Sequence, residues 1–368
     1  MTDADSSRPR PSASDHRVPG PSAPPTKTRD PFLDNARGIL IALVVVGHTL
    51  ECFDALSEPF GETIRIWIYS FHMPAFVAIS GFLSRSYRNE PRQVRRLLTA
   101  MLVPYLIFQL LHELVKMLLL GQDFRLDVVT PAWTLWFLLA LLVWRLMTPV
   151  LLALRHPLVL AVAIAVVMPL DPGLGETLSL GRVLQMLPFF VLGLVTTPEL
   201  LRRLTSLPRR GLIGAAILVV AMVVAFASHE HLSVARFFLR AGYAEGPYET
   251  WLAILVQVLV LASGVIGTVA LLLITPAGRT LWTALGVRSL TIYLLHPLVL
   301  LPIRYMEEPF AWVESWWAPF PMILVGLALT AVLSRKVVAR ATSWLTDPPV
   351  GPLLVRPEES TTGRDARR

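Results

Sequence analysis

Apolar residues gather in ten long runs, at about 36–55, 64–84, 96–118, 132–152, 156–171, 182–197, 211–228, 251–275, 285–303 and 317–334. A helix of roughly 20 mostly apolar residues spans about 30 Å of hydrocarbon. The pattern therefore predicts an all-α, polytopic membrane protein of about ten transmembrane helices. The fifth and sixth runs are short and are interrupted by Pro169 and Pro188, which leaves their edges ill-defined. The first thirty residues carry Pro9, Pro11, Pro19, Pro21, Pro24 and Pro25 among Ser, Asp and Arg with no apolar run. They read as a disordered cytoplasmic tail, not as a signal peptide. The expected organisation is a tail over 1–30, a membrane domain over 31–335 and a largely disordered cytoplasmic tail over 336–368.

Composition sharpens this reading. Residues of the AVILMFWYC set make up 54% of the 368, and charged residues only 16%, with mean hydropathy +0.59. An average soluble domain carries about 25% charge, so a soluble fold would lack the polar surface to cover itself. One cysteine, Cys52, excludes a disulfide framework and a Cys-based zinc site. The net charge of +7 fits lipid contact and topology, with no call for nucleic acid.

Loop charges set the orientation. With the N-terminus inside, the cytoplasmic segments hold 19 Lys and Arg residues, among them Arg85, Arg88, Arg92, Arg95 and Arg96 in a single loop. The other side holds seven: Arg65, Lys116, Arg125, Arg182, Arg236, Arg240 and Arg304. The asymmetry places both termini in the cytoplasm. The five-arginine loop suits a phosphate-bearing cytosolic ligand; a topology signal with anionic lipid headgroups is the plainer alternative. The long outer loop at about 229–250, with His229, His231, Tyr243 and Tyr248, is a lid or a connector.

Ionisable residues within spans are functional candidates. At 1.5 Å per residue, His48 lies about 16 Å from the inner end of its span, His72 about 12 Å from the outer end of the next, and His296 about 15 Å into the ninth. Three imidazoles at one depth suggest a shared polar cavity. Glu51, at i+3 from His48, shares its helix face; it either fixes the imidazole tautomer or marks the end of the span. Tyr293 precedes His296 by three and could reach the same space. His112 beside Glu113 reads as interfacial. Trp133, Trp136, Trp312, Trp316 and Trp317 read as an aromatic belt, with an external sugar-stacking role as the less favoured alternative.

The segments Asp34-Asn35-Ala36-Arg37-Gly38-Ile39-Leu40 and Val44-Val45-Val46-Gly47-His48 resemble the opening of the acyltransferase type 3 family of integral membrane O-acyltransferases. Phe71-His72-Met73-Pro74-Ala75-Phe76 with Ile79-Ser80-Gly81-Phe82 is similar to its fucose 4-O-acetylase branch, as is Val103-Pro104-Tyr105-Leu106-Ile107-Phe108, and Ser289-Leu290-Thr291-Ile292-Tyr293-Leu294-Leu295-His296-Pro297 resembles the family further along. The resemblance runs from about 31 to 335. It implies transfer of an acetyl or other acyl group from cytosolic acyl-CoA, as co-substrate with no bound cofactor or metal, to a sugar or glycan hydroxyl. It implies His48 as catalytic base, with Asp34, Arg37 and His72 at the site. The departure is the Arg-x-x-Arg pair that many members carry just before the Pro of the third span: here Met101, Leu102 and Val103 precede Pro104. CoA is then expected on Arg37, Arg85, Arg88, Arg92, Arg95 and Arg96, with Tyr293 and His296 lining the substrate space. His72 or a backbone N–H near Gly81 is the expected oxyanion donor. The expected partners are acyl-CoA, a carbohydrate acceptor and the bilayer, and the expected place is a bacterial plasma membrane. From another class, a proton-coupled transporter would also use intramembrane His and acidic residues.

Overall fold

The computed structural model describes residues 29–53, 59–171, 177–240, 242–243, 249–305 and 315–349. The N-terminal tail through residue 28, the end of the C-terminal tail from 350, and Asp54, Glu58, Tyr248, Glu307, Glu308, Trp312 and Glu314 lie outside the described residues.

Each apolar run contains helix among its described residues. In chain order the helices are α1 (Pro31–Glu51), α2 (Pro59–Ser84), α3 (Pro91–Leu97) continuing through a π turn into α4 (Val103–Leu120), α5 (Trp136–Ala153), α6 (Pro157–Val167), α7 (Leu180–Gln185), α8 (Leu187–Val195), α9 (Pro198–Thr205), α10 (Arg210–Ser228), α11 (Thr250–Ile274), α12 (Leu281–Val287), α13 (Ser289–Arg304), α14 (Pro319–Leu333), α15 (Lys336–Ala341) and α16 (Ser343–Thr346). No strand occurs among the described residues. By length and composition six helices can cross a membrane, and up to eight if two bent pairs each count as one span. The stretches Pro157–Leu170 and Pro319–Leu333 are apolar but shorter.

The bends have local causes. Pro104 has no amide to donate, and the turn before it, Leu98–Leu102, widens to π. The chain turns by 89° between the Leu180–Val195 segment and α9. Thr197 caps α9 by accepting the Leu200 N–H, Glu199 pairs with Arg202 and Arg203, and no α9 residue is buried, as in a helix lying at an interface. A 77° bend separates α12 from α13. The ninth run, 285–303, thus begins inside α12 and straddles the break. Beyond residue 335 the chain forms α15 and α16 before residue 347.

Helix α1 sits at the centre, packed on α2, α12, α13 and α14. Its fit to α12 is reciprocal and depends on missing side chains. A β-carbon on Gly38 would overlap the Trp282 carbonyl, and one on Gly286 would overlap the Asp34 carbonyl. Gly81 and Gly193 do the same for α2 and α8, against the Phe190 and Ala78 carbonyls. Small residues are how helices approach closely without a hydrophobic drive in lipid. Fully buried Asn35 stitches α1 to the α11–α12 turn: its Nδ2 donates to the Pro276 and Gly278 carbonyls (2.8 and 2.6 Å), and its Oδ1 accepts from Thr280 and Thr283 (2.9 and 2.6 Å). At the periphery, α10 buries only Gly214 and Ala225 and presents Leu212, Val219, Val220, Val223 and Val224 outward, which suits lipid contact.

Gly286→Ala should therefore cost about 1–3 kcal/mol through overpacking, read as a lower thermal midpoint in detergent. Gly211→Ala, where nothing lies within 4 Å of the added carbon, should leave the midpoint in place. Equal midpoints for the two variants would mean that α1 and α12 are not in close contact.

Candidate functional site

His48 lies in the last turn of α1 and meets Glu51 of its own helix and groups from three other segments. Its Nδ1 is 2.9 Å from Glu51 Oε2 and 3.3 Å from the Tyr69 hydroxyl of α2. Its ring stacks on His296 of α13, with centroids 5.5 Å apart and planes 22° apart. The Trp133 ring, just before α5, meets it edge-on at 5.1 Å. A carboxylate can only accept, so the His48 Nδ1 carries the proton facing Glu51, and in the neutral ring its Nε2 would present a lone pair. Glu51 is partly buried, its side chain 12% exposed. It also accepts from Trp133 Nε1 at 3.4 Å and has Arg304 Nη1 at 3.7 Å.

Trp133 holds its place by strain and anchoring. Its φ is +34°, a region a bulky residue adopts only when its surroundings impose it. The preceding loop is pinned by Gln109 Nε2 donating to the Asp127 and Thr130 carbonyls (2.6 and 3.0 Å), by the Ala132 N–H donating to Gln109 Oε1 (2.8 Å), and by the Tyr105 hydroxyl on the Val128 carbonyl (2.8 Å). Asp127 closes the loop; hydrogen bonds from the Thr130 side chain and from the Val129 and Thr130 amides hold its carboxyl below the usual carboxylate range.

Two cavities share His48. The first, of about 200 Å³, runs from His48 past Phe76, Trp136, Phe137 and Tyr293 to Arg37, Ser80, Arg145 and Ser289. The second, of about 90 Å³, is bounded by His48, Glu51, Tyr69, His72, Trp133 and Trp136 and by Arg182, Phe238, Arg240 and Arg304. Met73 also lines both. The short helical turn Val234–Phe238 brings Phe237 and Phe238 to the wall of the second cavity, while His229 bonds back to the Phe226 carbonyl and Tyr243 to that of Val166.

The remaining expected residues divide. His72 is fully buried; its Nδ1 donates to the Ile68 carbonyl (2.8 Å) and its ring meets Tyr69 edge-on at 4.7 Å, so it reaches His48 through Tyr69. In that neutral tautomer its Nε2 has no hydrogen to give, and the expected oxyanion donation lacks a donor there. Gly81, the other expected donor position, is packed against the α8 backbone. His296 Nδ1 donates to the Ile292 carbonyl (2.9 Å), and the Tyr293 hydroxyl bonds the Thr134 carbonyl. Asp34 stands fourteen residues before His48 on one helix, about 21 Å away; it pairs with Arg37, which lines the first cavity, and does not reach the imidazoles. Arg85 donates to the Phe82 and Thr196 carbonyls (2.9 and 3.0 Å), and Arg88 to those of Arg85 and Tyr87 (2.8 and 3.0 Å). Arg92 and Arg96 are exposed and Arg95 half-buried on α3.

His112, expected at an interface, is fully buried, with Nδ1 on the Phe108 carbonyl (2.7 Å), and Glu113 pairs with Lys116 instead (2.7 Å). Sequence reading also missed Tyr69, Arg145, Arg182, Arg240 and Arg304 as site groups and placed Trp133 and Trp136 in a belt. Tyr69 had one signal, its i−3 spacing from His72 on the same helix face. No group of three or more His, Cys, Asp or Glu that could hold a metal occurs among the described residues.

The family described as "Acyltransferase domain" matches residues 30–335. The chain belongs to that acyltransferase family. Among curated proteins it is similar to the nodulation protein NolL of Sinorhizobium fredii, 31% identical over 186 residues, which is 45% of this chain and 48% of that protein. It is also similar to NolL of Mesorhizobium japonicum, 46% identical over 65 residues, 16% of each. The matched part spans about half the length of the first relative. No solved structure matches.

Imidazole tautomers give a direct check. Histidine-selective ¹⁵N spectra should show Nδ1 protonated and Nε2 bare for His72, His112 and His296. An Nε2–H signal from any of the three would mean that its ring does not face the carbonyl four residues before it.

Proposed function

We propose that the protein transfers an acyl group, acetyl in the simplest case, from acyl-CoA to a hydroxyl of a sugar or glycan, with His48 as general base. The supporting observation is the position of His48 between two cavities, with its Nδ1 on a carboxylate. A sugar hydroxyl is a weak nucleophile whose proton must leave as it attacks. His48 Nε2 takes that proton while Glu51 stabilises the imidazolium through Nδ1. The oxygen attacks the thioester carbon, the C–S bond breaks, and the thiolate takes up the proton that His48 received. Transfer is direct, without an acyl-enzyme.

In the proposed topology ten helices cross the membrane and both termini are cytoplasmic. α6 and α14, short for a full crossing, count among the ten. The first cavity then ends at the cytoplasmic side, where Arg37 and Arg145 receive the phosphates of CoA, Arg95 and Arg96 lie on the approach, and the pantetheine arm runs along Phe76, Phe137 and Tyr293. The second cavity faces outward and takes the acceptor, with Trp133 and Trp136 as sugar-facing walls. The likeness of the Phe71–Phe82 segment to the fucose 4-O-acetylase branch supports a carbohydrate acceptor, and relatives from two bacteria support a bacterial plasma membrane.

With purified protein and radiolabelled acetyl-CoA, His48→Ala should lower acetyl turnover by about 10²–10⁴-fold without loss of folded protein. Glu51→Gln should lower it in the same direction, with kcat carrying the loss. Arg145→Ala should raise KM for acetyl-CoA and leave kcat nearly intact. Near-normal turnover in His48→Ala would refute the base, and label trapped on the protein in a single-turnover quench would refute direct transfer.

A further inference from the structure

The outer cavity is more cationic than a neutral hydroxyl acceptor requires. Arg182, Arg240 and Arg304 all line it, against one carboxylate, Glu51. Glu51 is already engaged by His48 and Trp133 and lies 3.7 Å from Arg304. Glu62 on α2 offers nothing more, because it pairs with Arg65 and accepts the Val234 N–H (2.9 Å). Arg182 and Arg240 form no hydrogen bond or ion pair among the described residues; their recorded partners are aromatic rings, Trp136 at 4.9 Å and Phe238 at 5.6 Å. Ring stacking covers a guanidinium face and uses none of its five N–H donors. Arg182 is half-buried, where a cation without an acceptor is costly to keep.

We propose that this cavity binds an anionic group of the acceptor, a carboxylate or a phosphate, held by Arg182 and Arg240. The inference rests on the reading of His48 as base and of this cavity as the acceptor's. Size limits where the charge can sit. A space of about 90 Å³ takes one end of a sugar and not a whole glycan, so the anion belongs to the ring that carries the reacting hydroxyl or to the atoms next to it. Guanidinium forks fit both carboxylate and phosphate bidentately. Neutralising the two arginines would also leave Arg304 to Glu51, keeping the carboxylate that orients His48.

The test measures binding to the full-length protein in detergent by isothermal calorimetry, without acetyl-CoA. The probes are methyl glucuronide (carboxylate), glucose 1-phosphate (phosphate) and methyl glucoside (neutral). At least one charged probe should bind at least about tenfold tighter than the neutral one, and that probe should weaken by about tenfold or more in Arg182→Gln. The charged probe that binds tells carboxylate from phosphate. Because Arg182 is half-buried, Arg240→Gln at an exposed position provides a second variant and should weaken the same probe. Charged and neutral probes binding alike, no charged probe binding, or unchanged binding in both variants would overturn the site. So would a preference for a dicarboxylic acyl-CoA over acetyl-CoA that is lost in Arg182→Gln, since the anion would then belong to the donor. Charged-probe binding without acetyl-CoA consumption would sink the transferase reading and leave the anion site standing. Acetyl-CoA consumption without charge preference would do the reverse.

Discussion

A carboxylate held between apolar helices must be met by donors from several directions, or it costs more than the fold can supply. Glu51 is met by His48 one turn back on α1, by the Trp133 indole before α5 and by Arg304 at the end of α13. Those contacts fix where three segments converge, and they fix the His48 ring with Nδ1 on the carboxylate. The site follows from this pair. Tyr69 closes on the same Nδ1 from α2, and His296 stacks on the ring from α13.

The scaffold supplies the rigidity the pair needs. α1 is held at its start by Asn35 with all four of its hydrogen bonds made to the α11–α12 turn and α12, and along its side by the reciprocal Gly38 and Gly286 contacts with α12. A helix fixed at one end and buried along its length carries His48 at the other end to a defined depth. In the proposed mechanism, donor and acceptor reach that depth through separate cavities and meet only at His48, and the thioester stays away from outer water until the hydroxyl arrives.

Much of this was legible in the sequence, for a physical reason. Apolar runs of span length have few alternatives to helix, so the helical segments followed from hydropathy alone. The i+3 spacing of His48 and Glu51 fixed a shared face, and the rise per residue gave the depth at which His48 and His296 meet. What escaped was direction. Depth does not tell which way a side chain points, so Trp133 and Trp136 read as a belt when they are walls of the cavities, and buried His112 read as interfacial. The loop arginines illustrate the same limit. Arg85 and Arg88 turn some of their donors to nearby carbonyls, while Arg145, counted only toward topology, lines the first cavity. Bends were hidden as well, since the break at Arg288 falls inside an unbroken apolar run.

The central claim is that two cavities meeting at His48 open on opposite sides of the membrane. Sided thiol labelling tests it most directly, because the one native cysteine, Cys52, is buried. Leu83→Cys, in the first cavity, should react with a membrane-impermeant maleimide only from the cytoplasmic side. Arg240→Cys, in the second, should react only from the outside. Labelling of both positions from the same side would contradict the account.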